Sequence, residues 1–281
     1  MSLAPDPVLL NVSPAGVAVI TLNRPEKRNA FDEIMIANLS EHFESLKGAD
    51  HVRVVFIRGA GETFCAGADV DWMRRQGERP REDNETDALD LARMLKHLHE
   101  LPQLTVALVH GAAMGGGAGL VAACDVAVAA TDAKFRFSEV RLGLIPATIS
   151  PYVMEAIGPR WTKALFATAE GFDGAFAEKI GLVQYAVDGE AGLNEMMEHL
   201  TGLAFAAAPG AVAEAKALVR FLIDDVTRSR SLVTTQVLPG HVIDDHLLKE
   251  TARRIAQRRA SAEGREGLAA FLQKRKPEWN A

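Results

Sequence analysis

The sequence is poor in cysteine, with only two among 281 residues. Cys65 and Cys124 lie far apart and belong to no Cys-x-x-Cys or Cys/His pattern, which excludes a disulfide framework and argues against a zinc site. We therefore expect both thiols to be buried and reduced. A metal-ligand cluster and a dinucleotide-binding loop are also missing, which predicts that activity requires neither a metal nor a redox cofactor.

Long apolar segments are absent as well. No segment approaches the roughly 18 uncharged apolar residues that a membrane span requires. The first ten residues, MSLAPDPVLL, lack the basic start and apolar stretch of a secretory signal and the Arg/Ser-rich character of a transit peptide. We therefore expect a cytoplasmic protein without a membrane partner.

Positive charge is not in excess. The 31 Lys and Arg residues are outnumbered by 37 Asp and Glu residues, giving a formal net charge of −6. This balance argues against a general attraction to nucleic acid or anionic membranes. An anionic ligand would have to be bound by a local basic cluster or by backbone amides.

The residues that are present indicate an α/β fold. Short apolar runs at residues 17–23, 52–58, 104–109 and 125–130 predict strands buried on both faces. Apolar residues recur with helical spacing between them. In residues 32–47 they are Ile34, Met35, Leu39, Phe43 and Leu46, and in a second helix they are Leu89, Ala92, Leu95 and Leu98. Strands that alternate with helices predict a layered α/β core.

Two further regions have a different character. Residues 74–87 are nearly all charged or polar and contain Gly77 and Pro80, which predicts an exposed mobile loop. From about residue 209 the strand pattern disappears, and residues 211–222 and 247–275 have helical periodicity. We therefore predict a core at residues 1–205 and a helical assembly region at residues 206–281.

Two glycine-containing segments follow predicted strands. The first contains Gly67, Ala68 and Asp69, where small residues let a ligand approach the backbone and exposed amides can donate to an oxyanion. The alternative is a tight turn in which Asp69 caps a short helix. Residues 110–120 contain three consecutive glycines that open a helix, whose first amides are unpaired and can stabilise an enolate oxygen. The alternative for this second segment is close packing of the helix on a strand.

Glu139 is the candidate acid/base group. Its apolar sequence neighbours are Phe137, Val140, Leu142 and Leu144. A carboxylate in apolar surroundings has a raised pKa, which suits proton transfer. The alternative is a solvated side chain or one paired with Arg136 or Arg141.

Together with residues 22–31 and 265–279, the order and spacing of these segments resemble the crotonase (enoyl-CoA hydratase/isomerase) superfamily over nearly the whole chain. The resemblance implies a spiral of ββα units, with C-terminal helices that form homotrimers or hexamers (dimers of trimers). It also implies an acyl-CoA thioester substrate and no cofactor, since coenzyme A is part of the substrate.

The resemblance assigns roles to individual residues. Glu139 is the general acid/base, and the amides of Ala68 and Gly116 form an oxyanion hole for the thioester carbonyl. Lys27 and Arg28 match a basic stretch near the coenzyme A phosphates, and Lys274 matches a tail lysine. The residues expected to contact substrate are Lys27, Arg28, Ala66, Gly67, Asp69, Gly115, Gly119 and Lys274, with the Ala66 backbone at the adenine.

The chain departs from the common pattern of the family at two places. Gly119 stands where typical hydratases carry a second glutamate, and residues 147–152 replace a common Gly-Gly-Thr-Gln-Arg. Residues 138–153 resemble bacterial methylglutaconyl-CoA and isohexenylglutaconyl-CoA hydratases, whose substrates carry a second carboxylate. We therefore expect hydration of a branched, carboxylated enoyl-CoA. We also expect Gly119 to remove a repelling charge and to leave room for the substrate.

Three alternatives remain open. A Δ3,Δ2-enoyl-CoA isomerase requires only one carboxylate, and a straight-chain enoyl-CoA hydratase is the next candidate. An acyl-CoA-binding or RNA-associated protein with weak catalysis is disfavoured, because both oxyanion segments and Glu139 are present and the charge balance is acidic.

Chelation is expected to leave turnover of enoyl-CoA unchanged, because the sequence offers no ligand cluster for a metal. The measurement is the hydration rate before and after dialysis against a strong chelator. A loss of activity that a divalent metal restores would contradict this prediction.

Overall fold

The computed structural model describes residues 6–232 and 245–280, with the side chains of residues 224–232 left out. The chain divides into two compact units, residues 1–201 and 202–281. The predicted division at residue 206, with its functional assignments, stays a prediction.

The first unit contains two sheets. The six-stranded sheet has the order β1-β2-β3-β4-β6-β9, and the three-stranded sheet has the order β5-β7-β8. The strands are β1 Val8–Val12, β2 Val17–Leu22, β3 Val54–Gly59, β4 Leu104–Val109, β5 Ala112–Met114, β6 Val126–Ala130, β7 Lys134–Arg136, β8 Phe172–Asp173 and β9 Tyr185–Val187.

The central strands of the large sheet are parallel. Val19 of β2 pairs with Phe56 of β3, which pairs with Val106 of β4, and Val106 pairs with Val126 of β6. β1 is antiparallel to β2 at the edge. β3 and β4 are almost fully buried, as expected for parallel strands covered on both faces.

All four predicted strands are present, with bounds within two residues of the predicted ones. The other described strands, two to five residues long, were not predicted. Most span only two or three residues, which is too short to show an alternating or continuous apolar pattern.

Helices lie between and after the strands. They are α1 Glu33–Lys47, α2 Val70–Gly77, α3 Arg81–His99, α4 Gly116–Ala122, α5 Ser150–Thr168, α6 Gly174–Ile180, α7 Gly189–Ala206, α8 Pro209–Leu232, α9 Asp245–Ala260 and α10 Ala262–Leu272. A short 3₁₀ turn at Glu139–Leu142 follows β7.

α1 confirms the predicted helix at residues 32–47. The Asp32 side chain caps it by accepting a hydrogen bond from the Met35 amide at 2.9 Å. The buried side is formed by Met35, Ile36, Leu39, Phe43 and Leu46. Ile34 was expected on this side, but it is 58% exposed because it lies on the opposite face.

The predicted mobile loop at residues 74–87 is wrong, because most of this segment is helical. α2 ends at Gly77 and α3 begins at Arg81, so only a short connection remains between them. Arginine and glutamate are good helix formers, and their charged side chains are exposed in this segment. Leu89 is also exposed, whereas Met94, Leu95 and Leu98 form the buried side of α3.

The second unit is helical in its described residues, as predicted. The segment at residues 247–275 is not one helix, because Ser261 separates α9 from α10 and caps α10 through the Gly264 amide at 3.0 Å. α10 ends at Leu272, short of residue 275. A groove of about 470 Å³ lies between these helices and α8.

No single helix in the described ranges is both long enough and apolar enough to span a membrane. The consecutive helices Gly189–Ala206 and Pro209–Ile223 reach that length and apolarity only when they are taken together, and the chain bends sharply between them.

Candidate active site

The turn between β5 and α4 carries the first unpaired amide. The Gly115 amide donates to the Arg136 carbonyl at 2.8 Å, which fixes the turn against β7. Gly115 has a φ of 48°, and α4 begins at the next residue, Gly116. As the first residue of a helix, Gly116 has an N–H without an intrahelical acceptor, and no acceptor contacts it within the described ranges.

The second unpaired amide belongs to Ala68. The segment that carries it is joined to residues 28–31 by three backbone hydrogen bonds. They run from Ala66 N to Arg28 O at 2.9 Å, from Phe31 N to Gly67 O at 2.7 Å and from Asp69 N to Phe31 O at 2.8 Å. This parallel bridge turns the Ala68 N–H away from Phe31, and the N–H has no acceptor in the described part of the chain.

The two amides lie in matching positions on neighbouring segments. Cys65 and Ala113 form a parallel bridge, and Ala68 and Gly116 each lie three residues beyond it. Gly67 allows the close approach of the segments, since a Cβ there would lie 2.9 Å from the Met114 carbonyl oxygen. This register suits a pair of N–H donors of the kind that an oxyanion hole requires.

Arg24 links the Ala68 segment to the start of α1. Its guanidinium contacts Asp32 at 2.7 Å and Asp69 at 3.2 Å, the capping residues of α1 and α2. It also donates to the Ala30 carbonyl at 2.9 Å. No role was predicted for Arg24, because the residues it joins are up to 45 positions apart in the sequence.

Asp69 caps α2, which is the alternative role that its sequence context indicated. One carboxylate oxygen accepts from the Asp71 and Trp72 amides at 2.9 and 3.2 Å, and the other contacts Arg24. Burial alone would raise the pKa of Asp69, but these amides, with Lys27 and Arg24, hold it below its usual value. Both side-chain oxygens are thus used within the protein, and the predicted contact of Asp69 with substrate stays a prediction.

Asn29 was also missed by the sequence analysis. It is fully buried, with a φ of 55°. Its amide group donates to the carbonyls of Ala60 and Thr63 at 2.8 and 2.7 Å, and its oxygen accepts from the Arg24 amide at 2.8 Å. Asparagine tolerates left-handed backbone, which is the one local signal for such a position.

Glu139 reaches the glycine turn. Its Oε1 lies 3.1 Å from the position that a Cβ would take on Gly115. Its Oε2 is buried and has no hydrogen-bond partner in the described part of the structure. Burial raises the pKa of Glu139, and the smaller effect of its own backbone N–H lowers it, so the pKa lies above its usual value.

The predicted apolar surroundings of Glu139 are confirmed only in part. Phe137 is fully buried, but Leu142 and Leu144 are 60% and 53% exposed on either side of the chain reversal at Gly143. No ion pair joins Glu139 to Arg136 or Arg141 among the described side chains, so the salt-bridged alternative is wrong. The carboxylate is shielded where it meets the turn at Gly115.

Gly119 does not leave space for a substrate. A Cβ at this position would lie 2.1 Å from Cγ2 of Ile149 and 2.7 Å from its Cβ. Gly119 is buried beneath this side chain. The predicted room is therefore wrong, because Ile149 fills the space, and the predicted contact of Gly119 with substrate stays a prediction.

The basic residues lie in two places. Lys27 and Arg28 are exposed, and the Arg28 carbonyl accepts from the Ala66 amide, so this stretch adjoins Ala66. Lys27 forms an exposed ion pair with Asp71 at 3.1 Å. Lys274 is exposed in the second unit, just beyond α10, and its role stays a prediction.

The two thiols differ in burial. Cys65 is fully buried under the turn, where its Sγ lies 2.9 Å from the position of a Cβ on Gly117, and burial raises its pKa to about 12. Cys124 is only half-buried, so the expectation of two buried thiols holds for Cys65 alone. Neither forms a disulfide bond in the described part of the structure.

Two N–H donors without an acceptor in the described residues and one shielded carboxylate suit proton transfer next to a carbonyl group. The donors can stabilise an oxyanion on a thioester, and the carboxylate can move a proton to or from a neighbouring carbon. A thioester enolate is the intermediate that this combination serves.

Comparisons with known proteins agree with this chemistry. The family model described as enoyl-CoA hydratase/isomerase matches residues 13–281. An enoyl-CoA hydratase-like protein of Thermus thermophilus is 31% identical over 274 residues, covering 96% of this chain and 100% of its own.

Two solved structures are also similar. An enoyl-CoA hydratase from Shewanella pealeana is 37% identical with a TM-score of 0.88, covering 97% of this chain and 96% of its own. AtuE from Pseudomonas aeruginosa is 36% identical with a TM-score of 0.86, covering 98% and 100%. The chain belongs to the enoyl-CoA hydratase/isomerase family, the crotonase superfamily, and is an enzyme of the hydratase type that acts on acyl-CoA thioesters.

Replacing Glu139 with glutamine is expected to lower kcat by at least about 10²–10⁴-fold, because the variant keeps the shape but cannot transfer a proton. The acidic limb of the wild-type kcat/KM profile should lie above the usual glutamate pKa, since the base must be ionised and burial raises its pKa. Steady-state kinetics across pH measure both.

The matched control is Glu170→Gln, which removes an exposed carboxylate from the same unit. It is expected to retain wild-type rates. Near-normal turnover in Glu139→Gln would exclude this residue as the acid/base.

Proposed function

We propose that the protein adds water across the 2,3 double bond of an enoyl-CoA with a branched, carboxylated acyl chain resembling 3-methylglutaconyl-CoA. One observation carries this proposal. Within the described ranges, four side chains lie nearest to the positions of a Cβ on the glycines at the start of α4, and only Glu139 is charged; the others are Phe31, Cys65 and Ile149.

The mechanism uses two amides and one carboxylate. The N–H groups of Ala68 and Gly116 donate to the thioester oxygen. The ionised Glu139 removes a proton from water, and the resulting hydroxide adds to C3 while electrons move to the thioester oxygen. Glu139 then delivers its proton to C2, which gives the 3-hydroxyacyl thioester and restores the carboxylate.

The charge of the site suits a carboxylated substrate. Two like charges about 4 Å apart at an effective dielectric constant of about 20 repel by roughly 4 kcal/mol. Because Gly119 and Ile149 place no charge beside Glu139, a distal carboxylate on the substrate meets one fewer negative group. The resemblance of residues 138–153 to hydratases of carboxylated substrates supports the same conclusion.

The basic residues are proposed to bind the coenzyme A part of the substrate. Lys27 and Arg28 are exposed beside Ala66, whose backbone adjoins the Ala68 amide. This arrangement supports phosphate binding by the basic pair and adenine contact by the Ala66 backbone. Lys274 is proposed to contribute from the tail.

A Δ3,Δ2-enoyl-CoA isomerase is the second candidate. One observation favours it: among the described residues, Glu139 is the only carboxylate next to the glycines at the start of α4. Shifting a double bond needs one group that takes a proton from one carbon and returns it to another, with the same two amides holding the enolate.

The substrate preference of the wild type tests the proposal. We expect a higher kcat/KM for hydration of 3-methylglutaconyl-CoA than of crotonyl-CoA, and no double-bond shift in 3-hexenoyl-CoA. The products are separated by liquid chromatography and identified by mass. A preference for crotonyl-CoA would contradict the carboxylated substrate, and isomerised 3-hexenoyl-CoA without hydration would favour the isomerase.

We also propose a homotrimer, or a hexamer of paired trimers, built through the C-terminal helices. The surface that lines the groove of the second unit is mainly apolar and includes Leu218, Ile255 and Leu268. Phe271 and Leu272 at the end of α10 are 80% and 78% exposed. Exposed apolar side chains and an apolar groove in the same unit favour the association of this unit with further copies of the chain.

Sedimentation at low micromolar concentration should show a trimer or a multiple of it. Leu268→Glu is expected to lower the mass, because it places a charge on the apolar surface. Leu9→Glu, an exposed leucine of the first unit, is the control and should not change the mass. An active monomer of the wild type would contradict the proposal.

A further inference from the structure

Ile149 and Gly119 are complementary in size. Ile149 immediately precedes α5 and is 1% exposed. Its Cγ2 and Cβ lie 2.1 and 2.7 Å from the position of a Cβ on Gly119, far closer than two carbon atoms can approach. The Cβ of Ile149 is fixed by the backbone, so a change of its rotamer would not remove the overlap.

This pair lies one helical turn from Gly115, the glycine that Glu139 approaches. The Gly119 amide donates to the Gly115 carbonyl at 3.0 Å, which places the two glycines one helical turn apart. Glu139 contacts Gly115, and Ile149 contacts Gly119. The carboxylate and the isoleucine therefore cover successive turns at the start of α4.

The loop between them explains how this arrangement forms. Glu139 begins the 3₁₀ turn after β7, and the chain then reverses and reaches α4 again at Ile149. The Leu144 amide donates to the Glu139 carbonyl at 3.0 Å, which closes the start of this loop. One loop thus supplies both the acid/base group and the apolar side chain next to it.

We propose that Ile149 is a specificity-determining residue, which keeps a second side chain out of the site and limits its chemistry to one carboxylate. This inference rests on the proposed function. The branched side chain fills the volume into which any residue at position 119 would extend. A substrate with its own carboxylate therefore meets no second acid at this position of α4.

The inference predicts that position 119 can be changed only together with position 149. Gly119→Glu alone should lower the melting temperature, because the new side chain overlaps Ile149. Combining Gly119→Glu with Ile149→Ala should restore it and place a second carboxylate beside Glu139. Gly119→Gln with Ile149→Ala is the matched control, with nearly the same shape and no charge.

The functional measurements compare these two double variants. On crotonyl-CoA, the glutamate variant should exceed the glutamine variant in kcat/KM by at least about 10-fold, as a second acid/base group contributes. On 3-methylglutaconyl-CoA the order should reverse. The acidic limb of the pH profile should move to higher pH in the glutamate variant only, because a like charge disfavours ionisation of Glu139.

Ile149→Ala alone covers the case in which the double variants fail to fold. Water entering beside Glu139 should move the acidic limb to lower pH. An unchanged limb in this variant would overturn the inference. So would a Gly119→Glu protein as stable as the wild type, or two double variants with the same substrate preference and pH profile.

Failure of the proposed function would look different. A wild type that prefers crotonyl-CoA contradicts the carboxylated substrate. The stability coupling between positions 119 and 149 and the shift in the pH profile would still be measured on crotonyl-CoA, and they test Ile149 independently.

Discussion

The approach of four side chains to the glycines of one helix start is the constraint on which the site depends. Cys65 and Ile149 occupy the space that a Cβ on Gly117 or Gly119 would need, and Glu139 and Phe31 lie 3.1 Å from the position of a Cβ on Gly115 or Gly116. A side chain at any of these positions would press against its neighbour. The glycines therefore let the carboxylate approach the start of α4, which links the proposed oxyanion hole to the proposed acid/base group.

The second half of the proposed oxyanion hole depends on a separate set of interactions. Arg24 joins the capping residues of α1 and α2, and Asn29 holds the chain before α1 in a left-handed conformation. Backbone hydrogen bonds fix the Ala68 segment, and the bridge between Cys65 and Ala113 joins it to the strand that leads to Gly116. These interactions hold the two segments that carry the proposed donors.

The sequence predicted the features that depend on local pattern. The strands β2, β3, β4 and β6 and the helix α1 followed from apolar periodicity, and the glycine segments and Glu139 followed from composition and family resemblance. The charged end of α2 and the charged first half of α3 were mistaken for a loop, because polarity alone does not separate an exposed helix from a coil. The contact of Ile149 with Gly119 joins residues 30 positions apart and leaves no local signal, which is why the space at Gly119 was misjudged.

The central claim is that the Ala68 and Gly116 amides polarise a thioester carbonyl next to Glu139. Infrared difference spectroscopy of an enoyl-CoA with a ¹³C-labelled thioester carbonyl, bound to Glu139→Gln so that it is not consumed, tests this most directly. The account predicts that the carbonyl stretch shifts to lower frequency than in water, because two donors weaken the double bond. A stretch at the frequency of the free thioester would contradict the account.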